Sequence, residues 1–211
     1  FPLALGLKTT LASLLLLFGV FSREHRQTFL AWLAAAIVIL LIAIPSKLDL
    51  GVRYILPIYA PLTIAMAAAT TAMLKTRALR IVAIVLLAWH CVASVVAHPE
   101  YFAYFNELAQ PDPSQFLVDS NLDWGQDVLL LRHVLREEHA TRVGIALVGM
   151  HAYEKLGFPQ LYAAAPDTPS HGWIAISDHM YRYELAKGGW WWLRGQKFRR
   201  IGASIRLYNV P

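Results

Sequence analysis

Cysteine is almost missing from this chain. Among 211 residues only Cys91 is a cysteine, so neither a disulfide nor a cysteine zinc site can form within it. Cys91 sits in an apolar run and reads as a small buried hydrophobe. Acidic residues are scarce over the first half. Residues 1–97 carry 8 Lys or Arg against only Glu24 and Asp49, a balance of +6, whereas residues 98–211 carry 11 basic and 12 acidic residues, a balance of −1. The net charge of +5 thus arises from short basic loops between apolar runs. No basic stripe with interleaved aromatics accompanies it, so no nucleic-acid partner is expected. A secretory leader is not seen either. The chain opens on Phe1 in apolar sequence, without a charged n-region or a small-residue cleavage site. The expectation is a fragment of a longer polytopic protein, entered partway through. Internal repeats and low-complexity tracts are also lacking.

What the chain has in quantity is apolar surface. With 57% hydrophobic and 16% charged residues it is too apolar for an ordinary soluble domain. Four apolar segments come first, at about 3–21 (with Lys8), 28–44, 54–74 and 78–97 (with Arg80 and His90). A helix of about 20 residues crosses the hydrocarbon, so about four spans are expected. Pro57 and Pro61 predict a kinked or partly unwound first half of the third. Arg23, Arg26, Lys75, Arg77 and Arg80 fall in loops on one face, which the positive-inside rule makes cytoplasmic. The loop 45–53 and everything after His98 then face outward. The expected location is a bacterial plasma (inner) membrane, multi-pass, with the C-terminal domain extracytoplasmic. His90 reads as a helix-contact histidine in preference to a proton relay.

The aromatics Tyr101, Phe102, Tyr104 and Phe105 suit an interfacial belt, and 98–110 reads as a short surface helix. Pro111 and Pro113 then break the chain. The domain expectation is 1–97 transmembrane helices, 98–118 an interfacial linker and 119–211 a small α/β extracytoplasmic domain. In that domain 127–138 has helical spacing, with Val128, Leu131, Val134 and Leu135 on one face. Strands are expected at 142–148, 172–177 and 201–210. Helices are expected at 152–156 and 181–193, the latter weakened by Gly188 and Gly189. Alternating strands and helices give an α/β sandwich of two or three layers.

Two stretches carry candidate chemistry. The outward loop places Lys47, Asp49 and Arg53 before a proline-broken helix. That is either a cationic seat for a lipid phosphate, with Arg53 as fork donor and Lys47 as point charge, or interfacial snorkelling with Lys47 or Arg53 paired to Asp49. The second stretch, Asp119-Ser-Asn-Leu-Asp-Trp-Gly-Gln-Asp127, is where the apolar half gives way to mixed sequence. Asp119, Asn121, Asp123 and Asp127 match the first part of a calcium loop, but Trp124 replaces its turn glycine and Leu130 its bidentate Glu. Neither metal nor cofactor is expected. The local reading is a capping box, with Asp123 as N-cap, Gln126 three residues on and Asp127 in the first turn. Asn121 and Trp124 stand outside that account and could contact a sugar through an amide and an aromatic face. Trp190, Trp191 and Trp192 read mainly as core and interface packing.

The elements Gly51-Val-Arg-Tyr-Ile-Leu-Pro57, His98-Pro-Glu-Tyr-Phe-Ala-Tyr-Phe-Asn-Glu-Leu108, Asp119–Asp127 and the closing Arg200–Tyr208 strand resemble the C-terminal part of bacterial polytopic glycosyltransferases. These belong to the lipid-carrier-dependent superfamily that includes protein O-mannosyltransferases and aminoarabinose transferases. The resemblance covers residues 45–211. It implies transfer of a sugar from a polyprenyl-phosphate donor in the membrane lipid to an extracytoplasmic acceptor, by inverting displacement with the lipid phosphate as leaving group. Arg53, and Lys47 with it, match the family's place for the donor phosphate, and Tyr54 and Asp49 flank them. The family's catalytic acid lies in an early outward loop that no residue here matches, so no catalytic residue is assigned and the fragment is expected to be inactive alone. The competing expectation is a non-enzymatic membrane-anchored module that binds glycan or a protein.

Overall fold

Threonine and proline decide where the apolar half of the chain is regular helix. The computed structural model describes residues 1–19, 23–46, 51–148 and 153–211. It divides into two units, Phe1–Pro111 and Asp112–Pro211. In the first unit the apolar run near the N-terminus is not one helix. It forms α1 (Pro2–Lys8) and α2 (Leu11–Leu16), separated by Thr9 with an extended backbone. Side-chain chemistry makes the break. The Thr9 hydroxyl donates to the Leu5 carbonyl at 2.7 Å, and the Thr10 hydroxyl caps α2 by accepting the Ser13 amide.

The expected first span is therefore divided. Among the described residues, three helical stretches remain that are long and apolar enough to cross a membrane. They are His25–Ala43 within α3 (Arg23–Ala43), Gly51–Met73, and α5 (Arg77–Val96). The middle one opens as a 3-10 helix over Gly51–Ile58, around Pro57, and becomes α4 at Tyr59–Met73. This is the unwound first half that the prolines predict. Pro61 falls in the first turn of α4, where a proline is tolerated. Phe29 of α3 packs on Ala65, Ala68 and Ala69 of α4, small residues that let two backbones approach. Ala12 and Leu16 of α2 pack with Ala83 and Leu86 of α5.

Two 3-10 turns, Tyr101–Ala103 and Glu107–Ala109, stand where one surface helix was expected. Asn106 is the reason. Its backbone is extended, and its amide N–H donates to the Leu7 carbonyl at 2.8 Å. Its side-chain Nδ2 donates to the carbonyls of Gly6 and Thr9 at 2.6 and 2.8 Å. The C-terminal end of α1 leaves such carbonyls without helical partners, and Asn106 supplies the donors.

The second unit is built on a five-stranded sheet in the order β2-β1-β3-β5-β4. The strands are β1 (Arg142–Ala146), β2 (Gln160–Ala163), β3 (Gly172–Ser177), β4 (Phe198–Ile201) and β5 (Ile205–Val210). β1 lies parallel to β2 and β3, whereas β5 is antiparallel to β3 and β4. Helix α6 (Val128–Glu137) buries Val128, Leu131, Val134 and Leu135 against Val143, Ala175, Ile205 and Leu207. Each such side chain contributes about 1.5–3 kcal/mol. The opposite face, carrying Ile174, Ile176 and Tyr208, packs with Tyr181 of α7 (Asp178–Leu185) and with Trp190 and Leu193. Strand alternation places Ala175 on one face and its neighbours on the other, so the unit has three layers.

The strand expected over 201–210 is a hairpin, turning at Gly202–Ser204, and β2 is an additional strand. The helix expected over 181–193 starts three residues earlier, where Ser177 caps it, and ends before the glycines. Trp190 then takes a left-handed conformation (φ 53°) and buries its ring, with its indole N–H donating to the Met180 carbonyl.

Candidate functional site

Arg53 is exposed on the 3-10 helix that leads into α4. It is the single charged residue of the Gly51–Met73 stretch. Tyr54 beside it is also exposed and stacks on Phe1, with centroids 5.7 Å apart and planes at 21°. Lys47 and Asp49 lie outside the described residues. A guanidinium here presents a fork that matches a phosphate.

Deeper in the first unit a cavity of about 320 Å³ opens where α2, α4 and α5 meet the segment after α5. Its lining is rich in hydroxyls. The Thr10 hydroxyl donates to Ser13 Oγ at 2.7 Å, and both oxygens face His90 Nδ1, at 2.9 and 3.1 Å. His90 thus joins α5 to α2 as a helix-contact residue. The Thr9 proton is committed to the Leu5 carbonyl, so Tyr59 donates to Thr9 Oγ1 across 3.1 Å. Thr63 and Ser94 return their protons to the carbonyls of Tyr59 and His90. Tyr104 is different: its hydroxyl is buried and has no partner among the described residues. Burial, helped by the nearby Glu107 carboxylate, pushes that phenol up to about 12. At the rim the Lys8 ammonium donates to the Phe102 carbonyl and lies 4.3 Å from the centre of the Phe105 ring.

In the second unit the 119–127 stretch does not form the expected capping box. Helix α6 begins only at Val128, and Asp127 at its N-cap makes no side-chain cap. Asp127 Oδ2 is instead engaged by the β4–β5 turn. It accepts the amides of Ala203 and Ser204 at 2.9 and 2.8 Å and the Ser204 hydroxyl at 2.7 Å. Asp123 accepts the Gly125 amide at 2.8 Å, and Gln126 bonds the Trp124 amide and the Leu122 carbonyl. The loop is thus bonded to itself before the helix starts. Asp123 is 5% exposed and Asn121 6%, while Trp124 is 51% exposed with its indole N–H given to the Ser120 carbonyl. Asn121 and Trp124 are therefore not presented together on one surface. Burial pushes the Asp123 carboxyl up. The Gly125 amide and Ser204 hydroxyl oppose that, and the Asp127 and Asp178 carboxylates reinforce it.

A second polar group in this unit is ionic. Asp178 is fully buried and pairs with Arg206 and, at 2.6 Å, with Arg200. Arg206 also stacks on Tyr181, 4.3 Å from the ring centre. Asp112 binds Arg182 at 2.5 Å and lies 3.5 Å from Arg206. Burial works against the charge on Asp112, but the Ser114 hydroxyl and the three guanidiniums hold its carboxyl below the usual range. Among the described residues no group of three or more His, Cys, Asp or Glu is gathered to hold a metal.

No known protein family, curated protein or solved structure matches the chain.

Sequence reasoning read Tyr104 only as an interfacial aromatic, gave Asn106 no role of its own, and read His90 as a helix contact without its Thr10 and Ser13 partners. The first two stood in view within the aromatic 98–108 motif. For the Thr10–Ser13–His90 cluster the signal was three polar residues in otherwise apolar segments. Each such residue in an apolar bundle needs an internal partner.

Proposed function

We propose that this chain is the C-terminal part of an integral-membrane glycosyltransferase, which moves a sugar from a polyprenyl-phosphate carrier to an extracytoplasmic acceptor. The observation that carries the reading is Arg53, exposed at the start of a 23-residue apolar stretch as its only charge. An exposed guanidinium at the end of such a stretch is placed to meet an anion of the headgroup region. The lipid phosphate of the donor is that anion, and it gains negative charge as the sugar leaves. A positioned cation stabilises the transition state more than the ground state. The resemblance of the 51–57, 98–108 and 119–127 elements to lipid-carrier-dependent transferases supports the same reading.

The test is Arg53→Ala and Arg53→Lys in the complete protein, reconstituted in phosphatidylcholine nanodiscs with a polyprenyl-phosphate sugar. Arg53→Ala should lower transfer by about 100-fold, corresponding to about 2.7 kcal/mol of transition-state stabilisation. Arg53→Lys should recover part of it, with expression and melting unchanged. Equal donor kinetics in all three proteins would remove Arg53 from the reaction.

A further inference from the structure

We propose that the hydroxyl-lined cavity of the first unit binds a neutral polyhydroxylated ring, a glycosyl group. The reasoning is an account of protons. The hydroxyls of Thr9, Thr63 and Ser94 have given their protons to backbone carbonyls at 2.7–2.9 Å, so they can meet a ligand only as acceptors. Tyr104 has a hydroxyl with no partner among the described residues, which leaves it a donor in want of an acceptor. A ligand that satisfies both kinds of group must donate and accept within a small space. Sugar hydroxyls do both. A simple anion would meet these acceptors with only Lys8 at the rim to offset them, and an ammonium would leave Tyr104 unmet.

The remaining wall agrees. Tyr59, Tyr101 and Tyr104 line the cavity with aromatic rings, whose flat apolar faces suit the C–H face of a pyranose and offer little to water. The volume of about 320 Å³ is at the small end for a ligand site, fit for one ring in preference to an extended chain. Choosing a glycoside among polyols rests on the sugar-transfer reading above. The cavity itself does not depend on Arg53.

The experiment uses the complete protein in phosphatidylcholine nanodiscs and saturation-transfer NMR with three probes. These are methyl β-D-glucopyranoside, octyl β-D-glucopyranoside below micelle formation, and octyl phosphocholine. Glucoside signal lost in Tyr104→Phe and Thr63→Val, with a rise in Kd of about tenfold for each hydrogen bond removed, is the expected result. Both substitutions keep side-chain shape, so melting should hold. Binding of both glucosides identifies a free sugar as sufficient. Binding of the octyl compound alone assigns the site to a glycolipid headgroup. Equal binding of octyl phosphocholine, glucoside binding indifferent to both substitutions, or no glucoside binding would each overturn the proposal. Transfer activity without glucoside binding would remove this site and leave the transferase reading standing. Glucoside binding with no transfer would do the reverse.

Discussion

Within residues 119–127 the three aspartates have separate roles. Asp119 adopts a left-handed backbone (φ 57°), and its carbonyl accepts the amides of Leu122 and Asp123. Asp127 holds a distant turn. Burial pushes the Asp123 carboxyl up. A carboxyl with a folded-state pKa above its unfolded value favours folding while protonated. That contribution is whole below the ordinary value near 3.8 and is lost as pH rises through the raised value. Asp123→Asn keeps an oxygen for the Gly125 amide and carries no charge. Its melting temperature relative to the parent should therefore climb between about pH 4 and pH 7. A difference that stays flat with pH would show that the carboxylate is not strained by burial. The residue types of this stretch were conspicuous in the sequence, and their roles were not. The Asp-x-x-Gln spacing is compatible with a cap, but the groups that engage Asp127 lie 76 and 77 positions away, and no local pattern reports them.

At the scale of elements, periodicity was the reliable guide. The α6 stripe and the apolar run of β3 were legible because burial repeats along them. Strand β2, with four residues, has too little sequence to show a period. The Gly202–Ser204 turn was hidden between Ile201 and Ile205, inside what reads as one strand. That turn and the start of α6 are joined through Asp127, and Gly202 is the residue that permits it. A Cβ at Gly202 would stand 2.1 Å from Asp127 Oδ1, on a backbone with φ +54°. Gly202→Ala is expected to cost about 2 kcal/mol or more, and Asp127→Ala about 3 kcal/mol through buried amides left without acceptors. The double variant should cost less than the two together, by at least about 1 kcal/mol, because the clash and the carboxylate vanish at once. Chemical denaturation gives all three values. Strict additivity would mean that the helix and the turn do not communicate through this carboxylate.

Over the whole molecule, composition and architecture change together. The break in charge and polarity read near residue 98 and the division between units after Pro111 bracket the aromatic segment. The broad plan, a helical part followed by a small α/β domain, was legible because it depends on bulk polarity, which a sequence displays directly. The divided first helix was not, since it depends on the hydroxyls of Thr9 and Thr10 and on one asparagine far along the chain. Each unit has its own apolar clusters, so each is expected to hold its structure separately. Residues 112–211 produced alone should be soluble without detergent and unfold in one cooperative transition, as read by circular dichroism. Residues 1–111 should need detergent or lipid. Aggregation of the 112–211 piece in plain buffer would show that its sheet needs the rest of the chain.

The asparagine that satisfies the end of α1 has a consequence for biosynthesis. Its side-chain bonds reach back 100 and 97 positions, to Gly6 and Thr9. When the ribosome has made the first two short helices, the amide that completes their corner does not yet exist. Three long apolar helices must be synthesised before it emerges. The corner of α1 and α2 is thus made well before it is finished, and a chain released between that corner and residue 106 carries it open.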